Sequence, residues 1–116
     1  MSEFMLSVHH DYSQPVQPEG TDVDAMYAAV AALNEELMST GAWVYGGGLQ
    51  EPATASVVSV VDGEVTVADG PRNPLAPQLG GYWVIDVADA DAARAWAERM
   101  SVAVNGPVEI RPLQGE

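Results

Sequence analysis

The stretch Thr66–Asp86 constrains the fold most. An alternating run ends at Asp69-Gly70-Pro71, a loop with Pro74 and Pro77 follows, and Gly80-Gly81 opens an apolar run through Val87. Proline breaks and glycine pairs rule out one continuous helix here and predict two strands joined by a loop. A scaffold commonly places chemistry on such a loop.

The rest of the chain repeats the strand signal around two helices. Phe4, Leu6 and Val8 alternate with Met5, Ser7 and His9, which predicts a half-buried first strand. Asp11–Gly20, with Pro15 and Pro18, reads as a loop. A helix is expected from near Thr21, where Thr21-Asp22-Val23-Asp24 resembles a capping box, to the stop at Gly41. Its apolar stripe is Val23, Met26, Tyr27, Val30, Leu33, Leu37 and Met38.

Trp43-Val44-Tyr45 begins a second strand, which Gly46-Gly47-Gly48 leaves bare or bulged. Ala55–Val61 and Glu64–Ala68 flank Asp62-Gly63, a hairpin signal. Asp89 or Asp91 caps a second helix with Ala93, Trp96, Ala97 and Met100 inward. Asn105-Gly106-Pro107 turns the chain into a last strand, Val108–Arg111. Glu109 and Arg111 share a face there, with Asp86 expected on a neighbouring strand as an ion-pair partner. The order predicts a split β-α-β sandwich of α+β class with an inserted hairpin. Two helices cover one face of a mainly antiparallel sheet.

Residues 1–116 fit a single domain, and 47% hydrophobic residues suffice for a core. The net charge of −13, with four Arg and no Lys, repels phosphate backbones and anionic lipids, so nucleic acid and membrane surfaces are not expected partners. No apolar run reaches the roughly 18 residues of a membrane span. The start lacks a basic region followed by an apolar stretch, so a cytoplasmic location is expected. Without cysteine there is no thiol nucleophile or thiolate metal site, and without lysine no side-chain Schiff base. No phosphate loop, nucleophile elbow, zinc spacing or cofactor fingerprint occurs, so neither metal nor cofactor is expected.

Several ordered blocks resemble the YCII-related family in its DGPF-domain branch. They are Phe4–His9, Gly47-Gly48-Leu49 with Pro52-Ala53-Thr54-Ala55, Asp69-Gly70-Pro71, Leu79-Gly80-Gly81-Tyr82-Trp83 and Val108–Pro112. The resemblance implies a ferredoxin-like fold of the dimeric α/β-barrel type, a homodimer, and an enzyme role in which a His and an Asp act. Carried onto this chain, these are His9 and Asp69. The chain departs from the pattern where the family has Phe after Asp-Gly-Pro, since Arg72 stands there. Asn73-Pro74-Leu75-Ala76-Pro77 also replaces a charged run.

The candidate residues each carry two readings. His9 reads either as an acid–base imidazole or as a hydrogen-bonded structural residue. His10 points to the other side of the strand, so the pair makes a poor metal clamp. Asp69 either partners His9 or closes its own turn. Arg72 either grips a substrate carboxylate or phenolate, or is a solvated charge. Tyr45 and Tyr82 either line a pocket for a planar small molecule, or belong to core or interface. The expected function is cofactor-independent proton transfer on a small apolar or aromatic molecule: isomerisation, elimination, dehydration or cyclisation. The alternative is a non-catalytic ligand-binding or accessory module.

Overall fold

Strand β1 (Ser2–His10) buries Phe4, Leu6 and Val8 on one side, as its alternation requires. The computed structural model describes residues 1–13, 20–75 and 77–115. The loop prolines Pro15 and Pro18, and Ala76, lie outside the described residues. Helix α1 (Val23–Thr40) follows, then β2 (Trp43–Gly48), a short 3₁₀ turn (Pro52–Thr54), β3 (Ser56–Val61), β4 (Glu64–Asp69), β5 (Gln78–Val87), α2 (Ala90–Val104) and β6 (Glu109–Pro112).

Four strands form one antiparallel sheet in the order β2-β5-β1-β6. The sheet, with α1 between β1 and β2 and α2 between β5 and β6, is the ferredoxin-like α+β arrangement. Both helices lie over the face that carries Phe4, Leu6, Trp83, Ile85 and Val87. Leu33 and Leu37 from α1, and Ala93, Ala97 and Met100 from α2, close this core. The opposite, outer face carries Met5, Ser7 and His9 of β1, Tyr82 and Val84 of β5, and Glu109 and Arg111 of β6.

Local chemistry sets the element ends. Asp22 caps α1, its Oδ1 accepting the Ala25 N–H at 3.0 Å. The cap thus falls one residue after the expected Thr21, because Asp22 is the residue that reaches the third helical N–H. Gly41 ends the helix in the left-handed region at φ 81°, its N–H returning to the last turn. Asp89, rather than Asp91, caps α2 by accepting from Ala92 N–H at 2.9 Å.

Two further expectations are corrected. The irregularity in β2 falls between Trp43 and Tyr45, while the three glycines pair regularly with β5. Asp86 is not beside β6, because β1 lies between them; its register partner on β1 is Glu3. Among the described residues Arg111 pairs with Glu109 alone, at 3.1 Å.

The hairpin is separate from the main sheet. β3 and β4 pair only with each other, across a turn in which Asp62 (φ 51°) and Gly63 (φ 79°) both adopt positive φ. Two consecutive positive φ values define the tight hairpin turn that Asp-Gly favours.

Candidate functional site

The principal cavity lies between the first half of α1 and the glycine-rich end of the sheet. It has a volume of about 290 Å³. Its floor is Gly46–Gly48 of β2 and Gly80-Gly81 of β5. Its walls are Val8 and His10 from β1, Trp83 and Tyr82 from β5, Met26, Tyr27, Val30 and Asn34 from α1, and Val104 from α2. The glycines make the room. A Cβ on Gly46 would stand 2.9 Å from the Trp43 ring and 3.1 Å from that of Trp83. Such distances leave no place for a side chain.

Gly80 does more than clear space. Val8 pairs with Gly81, but His9 already pairs with Leu79, so Gly80 is the extra residue of a β-bulge. A Cβ there would lie 2.2 Å from His10 Cδ2 and 2.8 Å from His10 Nε2. The imidazole therefore rests on the bare backbone of the bulge. Tyr12 meets it edge-on, with ring centroids 5.7 Å apart.

Half-burial lowers the His10 pKa below the ordinary imidazole value of 6.5, and the neighbouring His9 lowers it further. His10 is consequently neutral at neutral pH and able to accept a proton or a hydrogen bond. A second polar group faces the cavity on Asn34. Its Oδ1 accepts the Trp83 indole N–H at 2.7 Å, which ties α1 to β5. No Asp, Glu or Arg lines this cavity among the described residues. An apolar pocket with a few convergent polar groups is the usual form of a small-molecule site.

Two other clefts are less suited to a ligand. A cleft of about 590 Å³ lies among Asp11, Tyr12, Glu51, Pro71 and Gln78, with two carboxylates in its wall. A shallow cleft of about 280 Å³ at the hairpin base holds Asp69, Gly70 and Arg72.

The residues expected from the sequence are distributed over three places. Tyr82 borders the principal cavity, but alternation turns its ring to the outer face, 6.1 Å from that of Tyr45, which does not line the cavity. Asp69 and Arg72 share the hairpin cleft, both exposed, and the Gly70 N–H donates to Ala55 O at 2.7 Å. His9 is exposed on the outer face of the sheet and lines neither cavity. No hydrogen bond or ion pair joins His9 to Asp69 among the described residues. The cavity histidine is His10, which strand alternation puts on the same side as Val8. Asn34 and Trp83 have no motif to announce them; only their meeting across α1 and β5 makes them site residues. Among the described residues no three His, Asp or Glu side chains are grouped to hold a metal ion, and no helix is long and apolar enough to cross a membrane.

The fold and the cavity define a class: a small ferredoxin-like α+β protein with an apolar chamber between helix and sheet. The pattern of the YCII-related domain matches residues 4–114, and the chain belongs to the YCII-related family. No curated protein matches the chain significantly.

Proposed function

We propose that the cavity binds a compact, uncharged, largely apolar small molecule, and that His10 moves a proton on it. The observation that carries this reading is a neutral imidazole seated in a glycine-floored chamber without charged walls. About 290 Å³ admits a single ring or a short branched chain, at the small end of ligand pockets. Tyr27 and Trp83 in the lining supply aromatic contact for a planar ligand. Asn34 offers its amide NH₂ to a ligand oxygen, because its carbonyl already serves Trp83.

The chemistry is proton transfer next to such an oxygen. Neutral His10 takes a proton from carbon or from a hydroxyl, and the imidazolium returns it to the rearranged ligand. The Asn34 NH₂ stabilises the charge that develops on the oxygen. Isomerisation and elimination fit this scheme.

A second reading, ligand binding without turnover, is favoured by one observation. Among the described residues no carboxylate or carbonyl is hydrogen-bonded to His10 to hold its tautomer. The experiment distinguishes the two. Small cyclic ketones and phenols are screened for binding by the change in tryptophan fluorescence, and for carbon-bound proton exchange in D₂O by NMR. Exchange that disappears in His10→Gln while binding persists supports the acid–base reading. Binding with no exchange in the unmodified protein supports the binding module. Failure to bind any such molecule overturns both.

A further inference from the structure

We propose that Tyr12 is the positioning residue of the cavity imidazole: it holds the His10 ring over the Gly80 bulge and separates it from the acidic cleft beyond. The inference deepens the proposed function, because it rests on His10 as the group that moves the proton. Among the described residues His10 makes no hydrogen bond that would fix its ring, so packing must fix it.

Local chemistry brings Tyr12 to the ring. Strand β1 ends at His10, and Asp11 then closes a turn. Its Oδ1 accepts the Ser13 N–H at 3.0 Å and the Ser13 hydroxyl as well. Tyr12 is the residue between them, half-buried while Asp11 and Ser13 are exposed. Its ring meets the imidazole edge-on, with centroids 5.7 Å apart and planes at 89°, a geometry that aromatic rings prefer. His10 Nε2 and the Tyr12 hydroxyl lie 2.8 Å and 3.1 Å from one point, the place where a Gly80 side chain would begin. The imidazole is thus held by the bulge and by the phenol ring together.

The two rings also divide two spaces. His10 lines the principal cavity and not the cleft, whereas Tyr12 lines the cleft and not the cavity. Gln78, the register partner of His10 on β5, lines the cleft too, so the cleft begins beside the imidazole. Among the described residues its wall holds the exposed carboxylates Asp11 and Glu51 and no Arg. A nearby carboxylate favours the charged imidazole, and so does access of water. Either would take His10 out of the neutral form that accepts a proton. Tyr12 stands on the side from which both would reach it. The other titratable neighbours act differently. His9 opposes a charge on His10. Tyr27 of α1 and Tyr82 of β5 border the cavity and, as phenols, bring no charge at neutral pH. The cavity residues of β2 and α2 are Gly46–Gly48 and Val104, which do not titrate.

The test follows the His10 ring protons by NMR as the pH is varied, with the resonances identified by their loss in His10→Gln. Tyr12→Ala removes the ring, and Tyr12→Phe keeps it without the hydroxyl. In Tyr12→Ala the His10 titration is expected to rise to 6.5 or above. In Tyr12→Phe it is expected to stay where the unmodified protein has it. With a small ketone or phenol whose carbon-bound proton exchanges, Tyr12→Ala is expected to slow exchange about 10-fold or more at little-changed affinity, since small misplacements of a reacting group are costly. The acid limb of the exchange profile moves to higher pH in the same variant, and Tyr12→Phe restores both. Circular dichroism reports whether each variant folds. If Tyr12→Ala does not, the nuclear Overhauser contact between the Tyr12 and His10 rings and the Tyr12→Phe titration decide. An unmoved titration in folded Tyr12→Ala overturns the inference, as does an equal shift in Tyr12→Phe or a missing contact between the rings. Full-rate exchange in folded Tyr12→Ala overturns the positioning role. The titration needs no ligand, so failure of every small molecule to bind, with the titrations as expected, overturns the proposed function alone.

Discussion

Gly80 and His10 occupy one space between them. Adding a methyl at Gly80 puts a carbon 2.2 Å from the imidazole, so the ring or the bulge must move. Gly80→Ala is expected to cost about 1–3 kcal/mol in urea unfolding, the usual penalty for overpacking. It is also expected to weaken binding of any ligand that contacts His10. The two histidines are coupled as well. Because burial and then His9 lower the His10 pKa, His9→Ala is expected to shift the His10 titration upward, toward 6.5. An NMR titration of the ring protons reads this directly. The stability consequence has a definite sign. The folded protein binds the His10 proton less readily than the unfolded chain does. The contribution of neutral His10 is therefore complete above pH 6.5 and is lost progressively as the pH falls below it. Urea midpoints measured from neutral pH downward are expected to fall less in His10→Gln than in the unmodified protein. Equal pH dependence in both would show that the imidazole is not desolvated in the folded state.

Among the elements, α1 shows what a sequence discloses and what it withholds. Its stripe from Val23 to Met38 predicts the helix and its inward side, yet only Leu33 and Leu37 are buried. Tyr27 is 64% exposed, because the first half of the helix overhangs the cavity instead of packing on side chains. The glycines that open this cavity stand on other strands, so the stripe alone cannot reveal it. Alternation along β1 places His10 beside Val8. The family blocks direct attention to His9, and only the Gly80 bulge shows which imidazole is seated. The Asn34–Trp83 bond is equally hidden, joining residues 49 positions apart. It tests how α1 is fixed over the cavity. Asn34→Ala leaves the partly buried indole N–H without its partner and is expected to destabilise the protein by about 1–3 kcal/mol. Urea unfolding gives that value. The same variant is expected to weaken ligand binding, since it removes both the tether of α1 and the amide donor.

Across the whole molecule, charge and shape act together. Asp62-Gly63 announces the hairpin turn in the sequence, but whether a hairpin joins the main sheet depends on partners remote in the chain. That is why the hairpin's separation is visible only in three dimensions. Each chain carries a charge of −13, and Arg94, Arg99 and Arg111 are paired with Glu98, Glu36 and Glu109 of their own chain. Arg72 makes no ion pair among the described residues, so few cations are available to bridge two copies. If two copies of so acidic a chain associate through apolar side chains, electrostatics opposes the contact and salt relieves the opposition. Screening shortens the reach of charge from about 30 Å at 0.01 M salt to about 3 Å at 1 M. Association is therefore expected to tighten as sodium chloride is raised over that range. Sedimentation equilibrium across the salt series measures the dissociation constant. Weaker association with rising salt would mean that ion pairs, and not apolar side chains, join the copies.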